Sequence, residues 1–155
     1  MAITAQMVKE LRESTGAGMM DCKKALQEAE GNMERAVDIL REKGLSKAAK
    51  KNDRIAAEGL ASVAVKGNTA AIVEVNSETD FVAKNEDFKT FVKDAALMAL
   101  ATDKEDVAGL LAETHSEGIA LSEVLNNRIA TIGEKLDVRR FVKIATEGQV
   151  AGYIH

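Results

Sequence analysis

The apolar residues of this chain change character part way along, and that change decides the fold class. Up to residue 44 they recur every three to four positions, with glycines between the runs. Beyond residue 55, Leu60 to Lys66 and Thr69 to Asn76 are rich in Val, Ile and Ala. The first spacing is that of amphipathic helices; the second composition is that of strands.

In the opening segment Thr4 is placed to cap a first helix with Met7, Val8 and Leu11 on one face. Thr15-Gly16-Ala17-Gly18 breaks it, and a second helix aligns Met19, Cys22, Leu26 and Ala29. Gly31 ends that helix and Asn32 caps a third, with Met33, Ala36, Val37 and Leu40 on its stripe and Gly44 at its end. Each stripe needs a partner, so the three helices are expected to pack as a small module. Residues 45–57 are Ala-rich and basic and read as a helical linker. The expected domains are therefore 1–54, helical module with basic linker, and 55–155, the core.

Gly67-Asn68 between the two strand-like runs is a two-residue hairpin signal, which sets Val63 opposite Ile72 and Val65 opposite Ala70. Ser77 to Lys84 reads as a connection, and Asn85 caps a helix that buries Phe88, Phe91, Val92, Ala95 and Met98. A short helix is expected over Val107 to Leu111, and a longer one carrying Leu121, Val124, Leu125, Ile129, Ile132 and Leu136. Val138 to Thr146 and Val150 to Ile154 read as two strands joined at Gly148-Gln149. The fold class is α+β.

Composition narrows the function. The net charge is −4, whereas a general nucleic-acid binder draws its affinity from basic residues on phosphates. One cysteine, Cys22, precludes an internal disulfide. The N-terminus lacks a basic stretch followed by an apolar one, so no signal peptide is read. The longest uncharged apolar stretch, Ala95 to Ala101, is too short to span a bilayer, and the cytoplasm is the expected compartment. The chain has no proline, which favours uninterrupted helices.

A search for chemistry finds little. Cys22 lies on an apolar stripe with no partner thiol and reads as a core residue. His115 and His155 lack metal-ligand spacing, and His115 is expected on a surface loop. Gly16-Ala17-Gly18 has neither the preceding strand nor the following Gly-Lys-Ser/Thr of a phosphate loop. Glu78 and Asp80 form a carboxylate pair of a kind usually just solvated. Phe81 is the odd residue, an aromatic in a short connection after Thr79-Asp80. On residues alone, a ring tucked into its own core is favoured over an exposed anchor. The rival functions are an RNA- or ribosome-binding module using the basic run at 41–54, and a hydrolase. The net charge speaks against the first, and no nucleophile–base pair supports the second.

Two stretches go further. Thr15-Gly16-Ala17-Gly18-Met19-Met20-Asp21-Cys22-Lys23-Lys24-Ala25-Leu26 resembles the N-terminal signature of the elongation factor Ts family. Glu74-Val75-Asn76-Ser77-Glu78-Thr79-Asp80-Phe81-Val82-Ala83-Lys84-Asn85 resembles its second signature. The resemblance implies a ubiquitin-associated-like helical module followed by the first half of the family's core. It implies a nucleotide exchange factor, not an enzyme, with no catalytic residues, metal or cofactor. The implied partner is elongation factor Tu, GDP-bound and nucleotide-free, with no direct nucleic acid and no membrane. Homo-oligomer and heterotetramer with Tu both stay open. Thr79, Asp80, Phe81 and Val82 are implied to enter the partner's GTPase domain beside its Mg²⁺ site, which makes Phe81 an exposed wedge. Lys23, Ile132, Gly133 and His155 are implied as secondary contacts. Family members continue beyond the segment matching Gly148 to His155, so a fragment ending within a strand is expected.

Overall fold

The computed structural model describes residues 2–155, which fall into two compact units. The first holds residues up to Asp53 together with Asn126–Gly133, and the second holds Arg54–Leu125 and Glu134–His155.

The first unit is built on α1 (Ala5–Thr15), α2 (Met19–Glu28) and α3 (Met33–Ala49). Thr4 and Asn32 cap α1 and α3, their side chains accepting from the N–H groups of Met7 and Arg35. Val8, Leu11, Cys22, Ala25, Leu26, Ala36, Ile39 and Leu40 close into one core. Two residues expected on the buried stripes are outside it. Met19 is 58% exposed, because helical side chains lean towards the N-terminus and the first residue of α2 leans off its end. Val37 is also exposed, lying about 100° around the helix from Ala36, while Ile39 takes the place beside Leu40. Gly44 does not end α3, which runs on to Ala49 and no further, so the helical linker expected to residue 57 is shorter. A single helical glycine costs only about 1 kcal/mol, and Gly44 is buried against Asn127 of the same unit. Cys22 is fully buried, its thiol donating to the Ala17 carbonyl at 3.7 Å. Burial pushes that thiol above its ordinary pKa.

The second unit is an antiparallel sheet of β1 (Glu58–Lys66), β2 (Thr69–Ser77) and β3 (Leu136–Ala145), in the order β1-β2-β3. Val63 pairs with Ile72 and Val65 with Ala70, the register set by the Gly67-Asn68 turn. Gly59 has φ 138°, and a Cβ there would come within 2.1 Å of the Val75 carbonyl oxygen, so β1 and β2 meet closely only over a glycine. The helices α4 (Asp80–Ala83), α5 (Glu86–Ala101), α6 (Val107–Ala112) and α7 (Leu121–Ile132) complete the described elements. Asn85 caps α5, which packs on β1 and β2 through buried Phe88, Phe91, Val92 and Ala95, with Met98 only half-buried.

Three expectations fail in this unit. Leu136 is not the last apolar residue of a helix. Gly133 ends α7 in the left-handed region at φ 87°, and Leu136 opens β3, buried and paired with Ser77. No strand forms over Val150–Ile154. A Cβ on Gly152 would lie 2.6 Å from Val63 Cγ1, so this segment crosses the face of β1, whereas ladder bonds form only in the plane of the sheet. His115 is not a surface residue: it is 4% exposed. Its Nδ1 accepts from the N–H of Glu117, and its Nε2 lies 3.0 Å from Asp94 Oδ2. One ring nitrogen braces the 113–120 loop from within and the other ties it to Asp94 of α5, which the spacing of isolated histidines does not reveal.

Candidate functional site

The site begins where β2 ends. Ser77, the last residue of that strand, is fully buried, and its hydroxyl donates to the carbonyl of Thr79 at 3.0 Å. This turns the chain out of the sheet. Thr79 stays extended at φ −126°, ψ 157°, and its Oγ1 accepts from the N–H of Val82, capping α4. A single helical turn thus stands where the sequence suggests an irregular connection. The turn has two faces. Val82 and Ala83 are buried, with α4 packed against β1 and β2, while Phe81 is 79% exposed. The ring is therefore not tucked into its own core. Asp80 is exposed as well and pairs with Lys84 at 3.3 Å.

A carboxylate outside the turn holds it. Glu134 Oε1 accepts from the N–H of Thr79 at 3.0 Å and of Glu78 at 3.2 Å, and Oε2 accepts the Thr79 hydroxyl at 2.7 Å. Glu78 answers by accepting the N–H of Lys135 at 2.7 Å and a guanidinium N–H of Arg54 at 3.2 Å. Glu78 and Asp80 do not converge as a hydrolytic pair: the first is occupied by these donors and the second by Lys84. Glu134 is absent from the sequence reading. It is one acidic residue among many, and its only local mark is its place directly after Gly133.

The other implied residues lie elsewhere. Lys23 is exposed in the first unit, on a cleft of about 830 Å³ lined also by Ile3, Val8, Arg12, Met19 and Met20. Ile132 and Gly133 belong to the same unit and are half-buried and exposed. His155 belongs to the second unit and is exposed, in the segment that crosses β1.

Three residues of the basic run are held in ion pairs. Lys43 meets Glu28 at 2.8 Å, Lys47 meets Asp21 at 2.9 Å, and Arg54 meets Glu78. Among the described residues no group of three or more His, Cys, Asp or Glu gathers to hold a metal, and no helix is long and apolar enough to cross a membrane.

The model of the family described as elongation factor TS matches residues 78–155, which contain both the Thr79–Val82 turn and Glu134. The Elongation factor Ts of Clostridioides difficile (strain 630) is 79% identical over 155 residues, covering 99% of this chain and 51% of that protein. The chain spans about half the length of this curated relative. With a family model matched across its second half and a relative this similar along its whole length, the chain belongs to the elongation factor Ts family.

Proposed function

We propose that this chain is a guanine nucleotide exchange factor for elongation factor Tu. It binds the Tu–GDP complex, disturbs the Mg²⁺ and phosphate site, and so promotes exchange of GDP for GTP during translation elongation. The observation that carries the reading is Phe81: a large apolar ring held in water on a turn whose other face is buried. An exposed aromatic on a braced turn has the form of an anchor for a protein partner.

The mechanism follows from what such a ring does on entering a GTPase. The partner holds GDP through backbone and lysine contacts to the phosphates, with Mg²⁺ bridging protein and phosphate oxygens. Mg²⁺ tolerates little departure from octahedral geometry. A ring inserted beside that shell shifts the groups that orient it, and Asp80 competes for nearby polar groups. The exchange factor then binds the nucleotide-free form best, and GDP and factor weaken each other by one common factor. No bond is made or broken, so the factor needs no catalytic residues, metal or cofactor. Lys23, Ile132, Gly133 and His155 are proposed as secondary contacts. Residues 1–54 act as a helical module that adds grip on the partner, and residues 55–155 act as the core that carries the wedge.

The test is release of a fluorescent GDP from elongation factor Tu, followed with the wild-type chain and with Phe81→Ala. Loss of stimulation in the variant supports the reading; undiminished stimulation removes Phe81 from the mechanism.

A further inference from the structure

We infer that Glu134 is the positioning residue for the partner-facing turn of α4, a role that rests on the function proposed above. The β2–β3 ladder ends at the pair Ser77 and Leu136. One step beyond it the two backbones part, and the N–H groups of Glu78 and Lys135 find side-chain carboxylates instead of carbonyls. Glu78 donates to Glu134 and Lys135 donates to Glu78, at 3.2 and 2.7 Å. The two glutamates thus extend the cross-strand tie past the end of the sheet, where the chain has already turned away.

Glu134 does more than close this box. It also accepts both the N–H and the hydroxyl of Thr79. A carboxylate cannot donate, so the Thr79 hydroxyl must spend its proton on Glu134. Its lone pairs are then free for the N–H of Val82, the capping bond of α4. One chain of hydrogen bonds runs from Glu134 through Thr79 to the residue beside Phe81. Bonds to a charged acceptor are stronger than neutral ones. A four-residue helix cannot hold itself, because helix nucleation is unfavourable without outside support. The buried Val82 and Ala83 supply apolar support, and Glu134 supplies the direction.

The experiment uses the whole 155-residue chain. Amide hydrogen exchange is measured for the wild type, Glu134→Ala and Glu134→Gln. In Glu134→Ala the amides of Thr79 and Val82 are expected to exchange about tenfold faster, while those of Phe91 and Val92 in α5 keep their wild-type protection. Glu134→Gln, which keeps one acceptor oxygen for the two N–H groups, is expected to recover part of the loss. Unchanged exchange at Thr79 and Val82 overturns the inference. Equal acceleration throughout α5 also overturns it, because Glu134 is then a general stabiliser.

The partner assay adds a second arm. Glu134→Ala is expected to reduce stimulated GDP release, and Phe81→Ala in the same chain is expected to add little further loss. Additive losses overturn the link between the two residues. If Phe81→Ala has no effect on release by itself, Phe81 leaves the mechanism; if the wild-type chain does not stimulate release at all, the proposed function fails. The exchange pattern still decides the role of Glu134 within the chain.

Discussion

Phe81 and Val82 are neighbours on one helical turn, yet the ring is 79% exposed and the valine only 9%. The buried valine fastens the turn to the sheet and leaves the ring in water. Truncating the ring therefore costs the free chain little. Phe91 is the control: it is 1% exposed beneath the sheet, and a buried Phe cut to Ala typically costs about 3–5 kcal/mol. We expect Phe81→Ala to melt close to wild type and Phe91→Ala to melt far lower. In the complex the ring's loss is expected to cost about 2 kcal/mol or more. Melting curves beside GDP-release rates check both statements.

Deleting residues 1–53 should weaken partner binding and leave the β1-β2-β3 sheet folded. The structure adds a local consequence. Asn126–Gly133 belongs to the first unit, where the Thr131 hydroxyl lies 3.4 Å from the Gly16 carbonyl. Without its packing partners the last turns of α7 should fray, because short isolated helices are marginal in water. Amide exchange on the truncated chain is expected to be fast over residues 126–132 and slow in β2. Fast exchange in β2 would show that the core depends on the removed residues.

Arg140 donates to Glu74 at 2.6 Å and, with Asn76, holds that carboxyl below its ordinary range. A depressed folded pKa means the pairing stabilises the fold above the unfolded value of about 4.3 and is lost as pH falls through the folded one. The pair is surface-facing, so its contribution is at most about 1 kcal/mol. We expect Arg140→Gln to lower the melting temperature slightly at neutral pH. The gap should close as pH falls below about 4. A gap that widens on acidification would contradict the assignment.

The parts of this fold that are local were legible in the sequence. Thr4, Asn32 and Asn85 cap the helices they precede, since a cap needs only its own next three residues. The Gly67-Asn68 turn set the hairpin register for the same reason. What escaped depends on residues far apart in the chain. Glu134 reaches Thr79 across 55 positions, and Asp94 faces His115 across 21. Neither pairing leaves a periodic trace. Val150–Ile154 has strand-like composition, but pairing needs an edge in the plane of the sheet, and the segment crosses a face instead. The site divides likewise. Phe81 stood out as an aromatic in an odd place, whereas its exposure depends on the burial of Val82 and Ala83.

The most direct test of the exchange mechanism is calorimetric titration of this chain into elongation factor Tu, nucleotide-free and then saturated with GDP. The proposed mechanism predicts tighter binding to the nucleotide-free form, each tenfold corresponding to about 1.4 kcal/mol. By linkage, the same factor must weaken GDP binding when the chain is present. Equal affinities for the two forms would contradict the mechanism.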